Sequence, residues 1–219
     1  MDRRVTAADG HAFSCWMEPA VGEAKGGLVI LQEIFGVTDQ LKGVATRYAA
    51  QGLTVAIPAL FDRQRRDAVI PFDQASEGRA LMLSADPEGV MADIAACVAA
   101  LQAESGKVAV MGFCWGGGLA VRAAQVLDIA CAVSFYGTRL EGALGTPLRA
   151  PVQGHFGTSD DHTPPDVVTR CQREWPGFEV YWYEAGHAFA NEQRPAVYNA
   201  AAAGLAHERA AAFILKALA

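Results

Sequence analysis

One short segment restricts the fold of this chain more than any other. It places a reactive residue between two glycines, after an apolar run over 108–111 and before a helical pattern over 116–126. The segment reads Gly112-Phe113-Cys114-Trp115-Gly116. A sharp strand-to-helix turn strains the backbone of its central residue, and side chains two positions to either side would collide. The pattern therefore predicts strand, tight turn and helix, with the Cys114 sulfur lifted above a sheet edge.

The rest of the chain alternates short apolar runs with segments of helical period. This predicts an α/β fold with a mostly parallel, doubly wound sheet and helices on both faces. Strands are predicted at 28–31, 54–57, 107–111, 129–135, 151–156 and 179–183. Helices are predicted at 41–51, from 89 to about 101, at 116–126 and from about 196 to 218, with an irregular excursion over the sheet edge at 61–73. Because 219 residues show no repeat or linker, we predict a single domain over 1–219.

Composition argues against several classes of function. Hydrophobic residues make up 52% and charged residues 19%, so the chain can bury a large core. The net charge of −6 disfavours nucleic acid or an anionic membrane as a partner. No apolar run reaches the roughly 18 residues of a membrane span, and the N-terminus lacks the apolar stretch of a signal peptide. We expect a cytoplasmic protein, a monomer or small homo-oligomer, whose partner is a small molecule.

The cysteines agree with that location. There are five of them, an odd number, and none forms a C-x-x-C pair. They are Cys15, Cys97, Cys114, Cys131 and Cys171. This favours reduced thiols over a disulfide framework and gives no zinc-site spacing. We expect the four cysteines other than Cys114 to behave as small apolar residues. We expect neither a metal nor a cofactor.

A cysteine nucleophile needs a base and an acid that orients the base. In a sheet with this kind of turn they follow in the order nucleophile, acid, histidine, each after a strand. His187 follows the last predicted strand and is the predicted base. The loop before it contains Asp160, which is the predicted acid, and Asp161, which is the alternative. The ordinary role of Asp161 would be that of a turn residue. His162 is the competing histidine, although a solvated turn position is expected for it. Structural or exposed positions are expected for His11, His155 and His207.

A carboxylate stands where the first buried strand ends. Glu33 follows the run 28–31, and open α/β sheets bind ligands at the carboxyl ends of their strands. We therefore predict that Glu33 lies near Cys114 and competes with or assists His187 for the thiol proton; the alternative is a solvated strand end. The predicted oxyanion hole uses the backbone N–H groups of Ile34 and Trp115. The helix N-terminus would favour a thiolate.

Taken together, these residues resemble the dienelactone hydrolase (carboxymethylenebutenolidase) family. The resemblance covers nearly the whole chain from residue 28 onward and rests on five segments in the family's order. The segments are 32–37, 112–117, 135–137, 157–164 and 183–189. The resemblance implies an α/β-hydrolase fold and a Cys114–His187–Asp160 triad. It also implies that Glu33 takes the thiol proton when substrate binds. The family's activity is hydrolysis of dienelactone to maleylacetate, without metal or cofactor.

The chain departs from the family pattern where substrate is recognised. The resemblance makes Phe35 and Tyr136 pocket residues. Members of the family carry an arginine four residues after the catalytic histidine, where this chain has Asn191, and the nearest arginine is Arg194. A second family arginine has only Arg79 as a counterpart. Asn191 donates hydrogen bonds but brings no charge, which predicts a preference for neutral or weakly charged lactones and esters.

The predicted function is hydrolysis of small lactones or activated esters through an acyl-enzyme. One alternative is a general carboxylesterase that acts on other small esters. A second is a non-catalytic small-molecule binder, because a fold does not imply its chemistry. The joint presence of a cysteine, a histidine and two carboxylates at the predicted positions favours an enzyme.

Overall fold

A computed structural model describes residues 2–219. The described chain contains eight strands and six α-helices, and it divides into two compact units, residues 2–108 and Ala109–Ala219. Each unit is an α/β arrangement, as predicted. The prediction of a single domain over 1–219 stays a prediction.

The first unit contains four strands and three helices. Its strands are β1 (Asp2–Thr6), β2 (Ala12–Glu18), β3 (Gly26–Leu31) and β4 (Leu53–Pro58), and its helices are α1 (Asp39–Ala49), α2 (Ala75–Ser84) and α3 (Pro87–Ser105). The strand order is β1-β2-β4-β3. β3 runs parallel to β4, while β1 and β2 are antiparallel to their neighbours. All six residues of β3 are buried, as its unbroken apolar pattern predicts.

The segment between β4 and α2 is irregular, as predicted, and buried charges hold it in place. The Asp62 carboxylate accepts hydrogen bonds from the backbone of Ser14 at 2.8 Å and of Asp67 at 2.7 Å. Arg63 forms a two-pronged pair, at 2.9 and 2.7 Å, with the buried carboxylate of Asp93 on α3. Arg63 also pairs with Asp9 at 2.8 Å. Bidentate geometry of this kind fixes the segment's path as well as neutralising the buried charge.

The second unit contains four parallel strands in sequential order. They are β5 (Val108–Phe113), β6 (Cys131–Phe135), β7 (Val152–Gly157) and β8 (Phe178–Tyr183). The helices are α4 (Trp115–Val126), α5 (Pro165–Glu174) and α6 (Ala200–Leu218), with a short 3-10 helix at Leu140–Ala143. Parallel strands bring their carboxyl ends to one edge, so the loops after β5, β6, β7 and β8 share that edge.

A buried polar network lies below that edge. His155 on β7 pairs through Nδ1 with the Tyr183 hydroxyl at 2.8 Å and through Nε2 with the Gln153 side chain at 3.0 Å. Arg209 on α6 donates a hydrogen bond to the same hydroxyl at 3.2 Å. Burial, together with the charges of His207 and Arg209, lowers the pKa of His155 to about 3. His155 is therefore a neutral part of the core, in agreement with the structural role expected for it.

No helix within residues 2–219 combines the length and the apolar character that crossing a bilayer requires.

We predict that His155 makes the fold sensitive to acid. Its pKa is about 3 in the folded chain and near 6.5 when exposed, so the unfolded chain takes up a proton first as the pH falls. The contribution of His155 to stability is therefore complete above pH 6.5 and is lost progressively toward pH 3, amounting to about 2 kcal/mol by pH 5. The free energies of unfolding of the wild type and of His155→Gln, measured with urea, should therefore become more similar as the pH falls from 8 to 5. A difference in free energy of unfolding that stays constant with pH would contradict the low pKa of His155.

Candidate active site

The turn between β5 and α4 holds Cys114 in a strained conformation. Its φ of 54° and ψ of −116° lie where residues with a side chain are rare. A Cβ atom at Gly112 would lie 1.9 Å from the carbonyl oxygen of Gly116, so this turn tolerates only glycine there. The Cys114 N–H donates to Phe135 O at 3.0 Å, and Cys114 O accepts from the backbone N–H of Thr138 at 3.0 Å. These bonds fix the turn against the end of β6.

The thiol of Cys114 is the most accessible in the described chain. Cys114 is partly exposed, whereas the other four cysteines are buried. Cys15 and Cys97 lie in the first unit with their sulfur atoms 3.5 Å apart. Burial raises the pKa of Cys131 to about 12 and that of Cys171 to about 11. Because the thiolate is the reactive form, Cys131 and Cys171 are poor nucleophiles at neutral pH.

Asp160 and His187 meet on the loops after β7 and β8. The Nδ1 atom of His187 lies 2.8 Å from an Asp160 carboxylate oxygen, and the Asp160 side chain is completely buried. The other carboxylate oxygen accepts hydrogen bonds from the backbone N–H groups of His162 at 2.8 Å and Thr163 at 3.1 Å. Asp161 is exposed. The geometry thus pairs Asp160 with the histidine.

Two opposing effects set the charge of His187. Burial lowers its pKa, but the interactions with Asp160 and Cys114 outweigh burial and raise the pKa to about 10. Nε2 is buried and forms no hydrogen bond of normal geometry with the described residues. Catalytic hydrogen bonds are often long before substrate binds. The ring can therefore carry a proton at neutral pH, close to the Cys114 sulfur.

Aromatic side chains surround the His187 ring. Tyr136, at the end of β6, is fully buried and meets the ring edge-on, with centroids 5.2 Å apart. Phe189 packs against Tyr136 at 5.4 Å. Asn191 is fully buried, and its side-chain oxygen accepts a hydrogen bond from the backbone of Gln193 at 3.2 Å. Tyr136, supported by Phe189, thus forms an aromatic wall on one side of the His187 ring.

His162 is exposed, as expected of a turn residue, but its ring direction was not expected. The ring stacks on that of His187 with centroids 4.3 Å apart and planes 15° from parallel. The turn signal around it predicts exposure and contains no information on where the ring points.

Thr163, which was not among the predicted site residues, joins the acid loop to the turn at Cys114. Besides its backbone bond to Asp160, its side-chain oxygen donates to Gly137 O at 2.9 Å. Gly137 immediately precedes Thr138, whose N–H binds Cys114 O. Thr163 is 2% exposed, so water cannot replace its hydrogen bond. A Ser or Thr three residues after a predicted acid is a weak signal for such a role.

The segment after β3 carries the remaining predicted site residues and belongs to the first unit. Glu33 is 6% exposed, so it is not a solvated strand end. The Gln32 side chain donates to Glu33 O at 3.2 Å and accepts from Leu60 N at 3.1 Å. Phe35 is buried against Phe72, with ring centroids 4.9 Å apart. The positions of these residues within the unit are therefore well constrained.

Helix α2 approaches the same segment closely. A Cβ atom at Gly78 would lie 2.0 Å from Ile34 O, so the helix touches the backbone of Ile34. Arg79, the next residue on α2, is exposed. In the second unit, Trp115 is the first residue of α4, directly after Cys114.

Comparison with known proteins gives consistent likenesses. The profile of the dienelactone hydrolase family matches residues 15–218. A carboxymethylenebutenolidase of Pseudomonas putida is 31% identical and aligns over 96% of this chain and 94% of its own length. A dienelactone hydrolase-like promiscuous phosphotriesterase from metagenomic libraries superposes with a TM-score of 0.82 at 22% identity, over 99% and 98% of the two chains. An esterase of Pyrococcus furiosus superposes with a TM-score of 0.72 at 14% identity, over 100% and 93%. The superpositions confirm the predicted α/β-hydrolase fold.

We predict that Thr163 positions the active site through its hydroxyl group. Thr163→Val keeps the shape of the side chain but leaves Gly137 O without its hydrogen-bond donor, which should lower kcat about tenfold. Thr163→Ser keeps the hydroxyl group and should retain most of the wild-type kcat. The measurements are kcat and KM for p-nitrophenyl acetate, with the melting temperature of each variant. If Thr163→Val lowers only the melting temperature, the residue has a purely structural role.

Proposed function

Since the chain belongs to the dienelactone hydrolase family and is a hydrolase of lactone or ester bonds, we propose that it works through a thioester on Cys114. His187 would be the acid and base, and Asp160 the residue that orients it. The observation that carries this proposal is the 2.8 Å Asp160–His187 pair, whose imidazole interacts with the sulfur of the strained turn. A nucleophile, a base and a group that orients the base are the minimum set for covalent hydrolysis.

The proposed reaction has two halves. In the first, the sulfur of Cys114 attacks the carbonyl carbon, the carbon–oxygen bond of the ester breaks, and His187 donates its proton to the leaving alkoxide. In a lactone that alkoxide stays attached to the acyl group, so the ring opens. In the second half, His187 takes a proton from water, the hydroxide adds to the thioester carbonyl, and the carbon–sulfur bond breaks to release the acid.

The family resemblance supports further roles in this reaction. Glu33 would accept the thiol proton when substrate binds, and the backbone N–H groups of Ile34 and Trp115 would stabilise the oxyanion. Phe35 and Tyr136 would contact the substrate. Glu33 is buried and is not a solvated strand end, which supports a role for it in the reaction.

The relatives' names suggest lactones as the substrate class. Asn191 would contribute a neutral contact where the family has a positive charge, and Arg79 and Arg194 are the remaining candidate cations. We therefore propose that neutral or weakly charged lactones and esters are preferred over dicarboxylate-like ones. A general carboxylesterase activity is the alternative, and a panel of lactones and short-chain esters compared by kcat/KM separates the two.

We predict that Cys114 is the nucleophile. Limited iodoacetamide should label Cys114 first, because the other cysteines are buried. Cys114→Ala should lower kcat about a thousandfold or more, the usual consequence of removing a nucleophile. Cys171→Ala is the matched control and should stay within a few-fold of the wild type. Activity that survives in Cys114→Ala would refute the thioester mechanism.

We predict that the two neighbouring aspartates differ sharply in importance. Asp160→Asn should reduce kcat by a factor of about a thousand or more, because the amide favours the wrong tautomer of His187. Asp161→Asn should have little effect, since Asp161 is exposed. Both are measured as kcat for p-nitrophenyl acetate across pH 6–9. The opposite ranking would assign the role to Asp161.

A further inference from the structure

Three groups with metal-binding chemistry meet beside the proposed triad. One ligand atom from each of Asp160, His162 and His187 lies within 4.8 Å of the other two. We propose that His162 makes this cluster a binding site for a borderline divalent cation such as Zn²⁺, and that the bound ion reversibly inhibits the enzyme. The inhibitory effect rests on the proposed function of His187 and Asp160, but the binding itself does not.

The ligand set suits zinc. Imidazole nitrogen and carboxylate oxygen bind Zn²⁺ at about 2.0–2.2 Å, which places tetrahedral ligand atoms about 3.4 Å apart. The widest separation in the cluster, which is at most 4.8 Å, therefore has to shrink by no more than about 1.4 Å. Two of the groups are already close, because His187 Nδ1 lies 2.8 Å from the Asp160 carboxylate. The third belongs to His162, an exposed residue whose ring can move toward the other two.

The stacking defines the movement that is needed. A metal ion lies in the plane of each imidazole that binds it, and the rings of His162 and His187 now face each other at 4.3 Å with an angle of 15° between planes, so His162 must turn out of the stack before both nitrogens point at one ion. Because His162 is exposed, this rotation about its side-chain bonds does not cross a packed core. Three protein ligands leave the fourth position of a tetrahedral ion to water.

Zinc at this cluster is incompatible with the proposed reaction. The ion would bind an Asp160 oxygen and a His187 nitrogen, which are now joined by a hydrogen bond. Asp160 would then no longer orient the imidazole. A ring nitrogen that ligates a metal cannot carry a proton. Zinc is therefore expected to lower kcat, and removal of the ion by EDTA to restore it.

A second zinc site is conceivable at the same place, and the test has to separate the two. The Cys114 thiolate is a strong zinc ligand and interacts with His187 without involving His162. Cys114→Ala removes that site and leaves the proposed one intact. Because Cys114→Ala is expected to be inactive, binding is measured directly rather than through activity.

The experiment is a titration of the purified protein with ZnCl₂, followed by calorimetry and by competition with a chromophoric zinc chelator. Wild type and Cys114→Ala should bind one ion with similar affinity, and His162→Gln should weaken binding in both backgrounds by at least about tenfold. Asp161→Asn, a neighbour outside the cluster, is the control and should bind as the wild type does. His162→Gln should keep its activity within a few-fold and lose its sensitivity to zinc.

Two results would overturn the proposal. One is unchanged zinc affinity in His162→Gln, and the other is loss of zinc binding in Cys114→Ala, which would assign the ion to the thiol. Failure of the proposed function would look different, because Cys114→Ala would then remain active while zinc binding still depended on His162.

Discussion

The strained backbone of Cys114 is the constraint on which the rest of the active site depends. A residue with a side chain in this conformation costs about 1–3 kcal/mol, so it persists only where surrounding bonds impose it. The bonds come from the end of β6, where Phe135 O and Thr138 N–H hold the two polar backbone groups of Cys114. That end is itself strained, because Tyr136 between them has a φ of 38°. The turn at Cys114 and the end of β6 therefore stabilise each other's conformation.

The residues that directly follow β6 also connect the nucleophile to the acid. Gly137 O accepts the Thr163 hydroxyl, and Thr163 N–H binds the Asp160 carboxylate that meets His187. A continuous set of hydrogen bonds thus runs from the turn at Cys114, through the loop after β6, to the acid and the histidine. Gly137, Asp160 and Thr163 are buried, and buried hydrogen bonds hold a reacting group more precisely than packing alone.

The sequence predicted the elements whose pattern is local and strong. All six predicted strands and four predicted helices are present within a few residues, together with the glycine-flanked turn at Cys114. Four elements were missed. They are β1, α2, β2, although its burial alternates strictly, and α5, in which only Val168 and Cys171 are buried. The Thr163 bond joins residues 26 positions apart, and the stacking of His162 depends on a ring direction that a turn pattern does not encode. The spacing of apolar residues along the sequence does not predict long-range side-chain contacts of this type.

The opposing influences on His187 explain how one ring can serve both halves of the proposed reaction. Burial disfavours the imidazolium, while Asp160 and Cys114 together favour it strongly enough to raise the pKa to about 10. Before acylation the ring is therefore protonated and ready to act as an acid. In the proposed thioester the sulfur is bonded to the acyl group, so its interaction with His187 is lost and burial is opposed by Asp160 alone. The pKa of His187 must then fall, which releases the neutral imidazole that the attack of water requires.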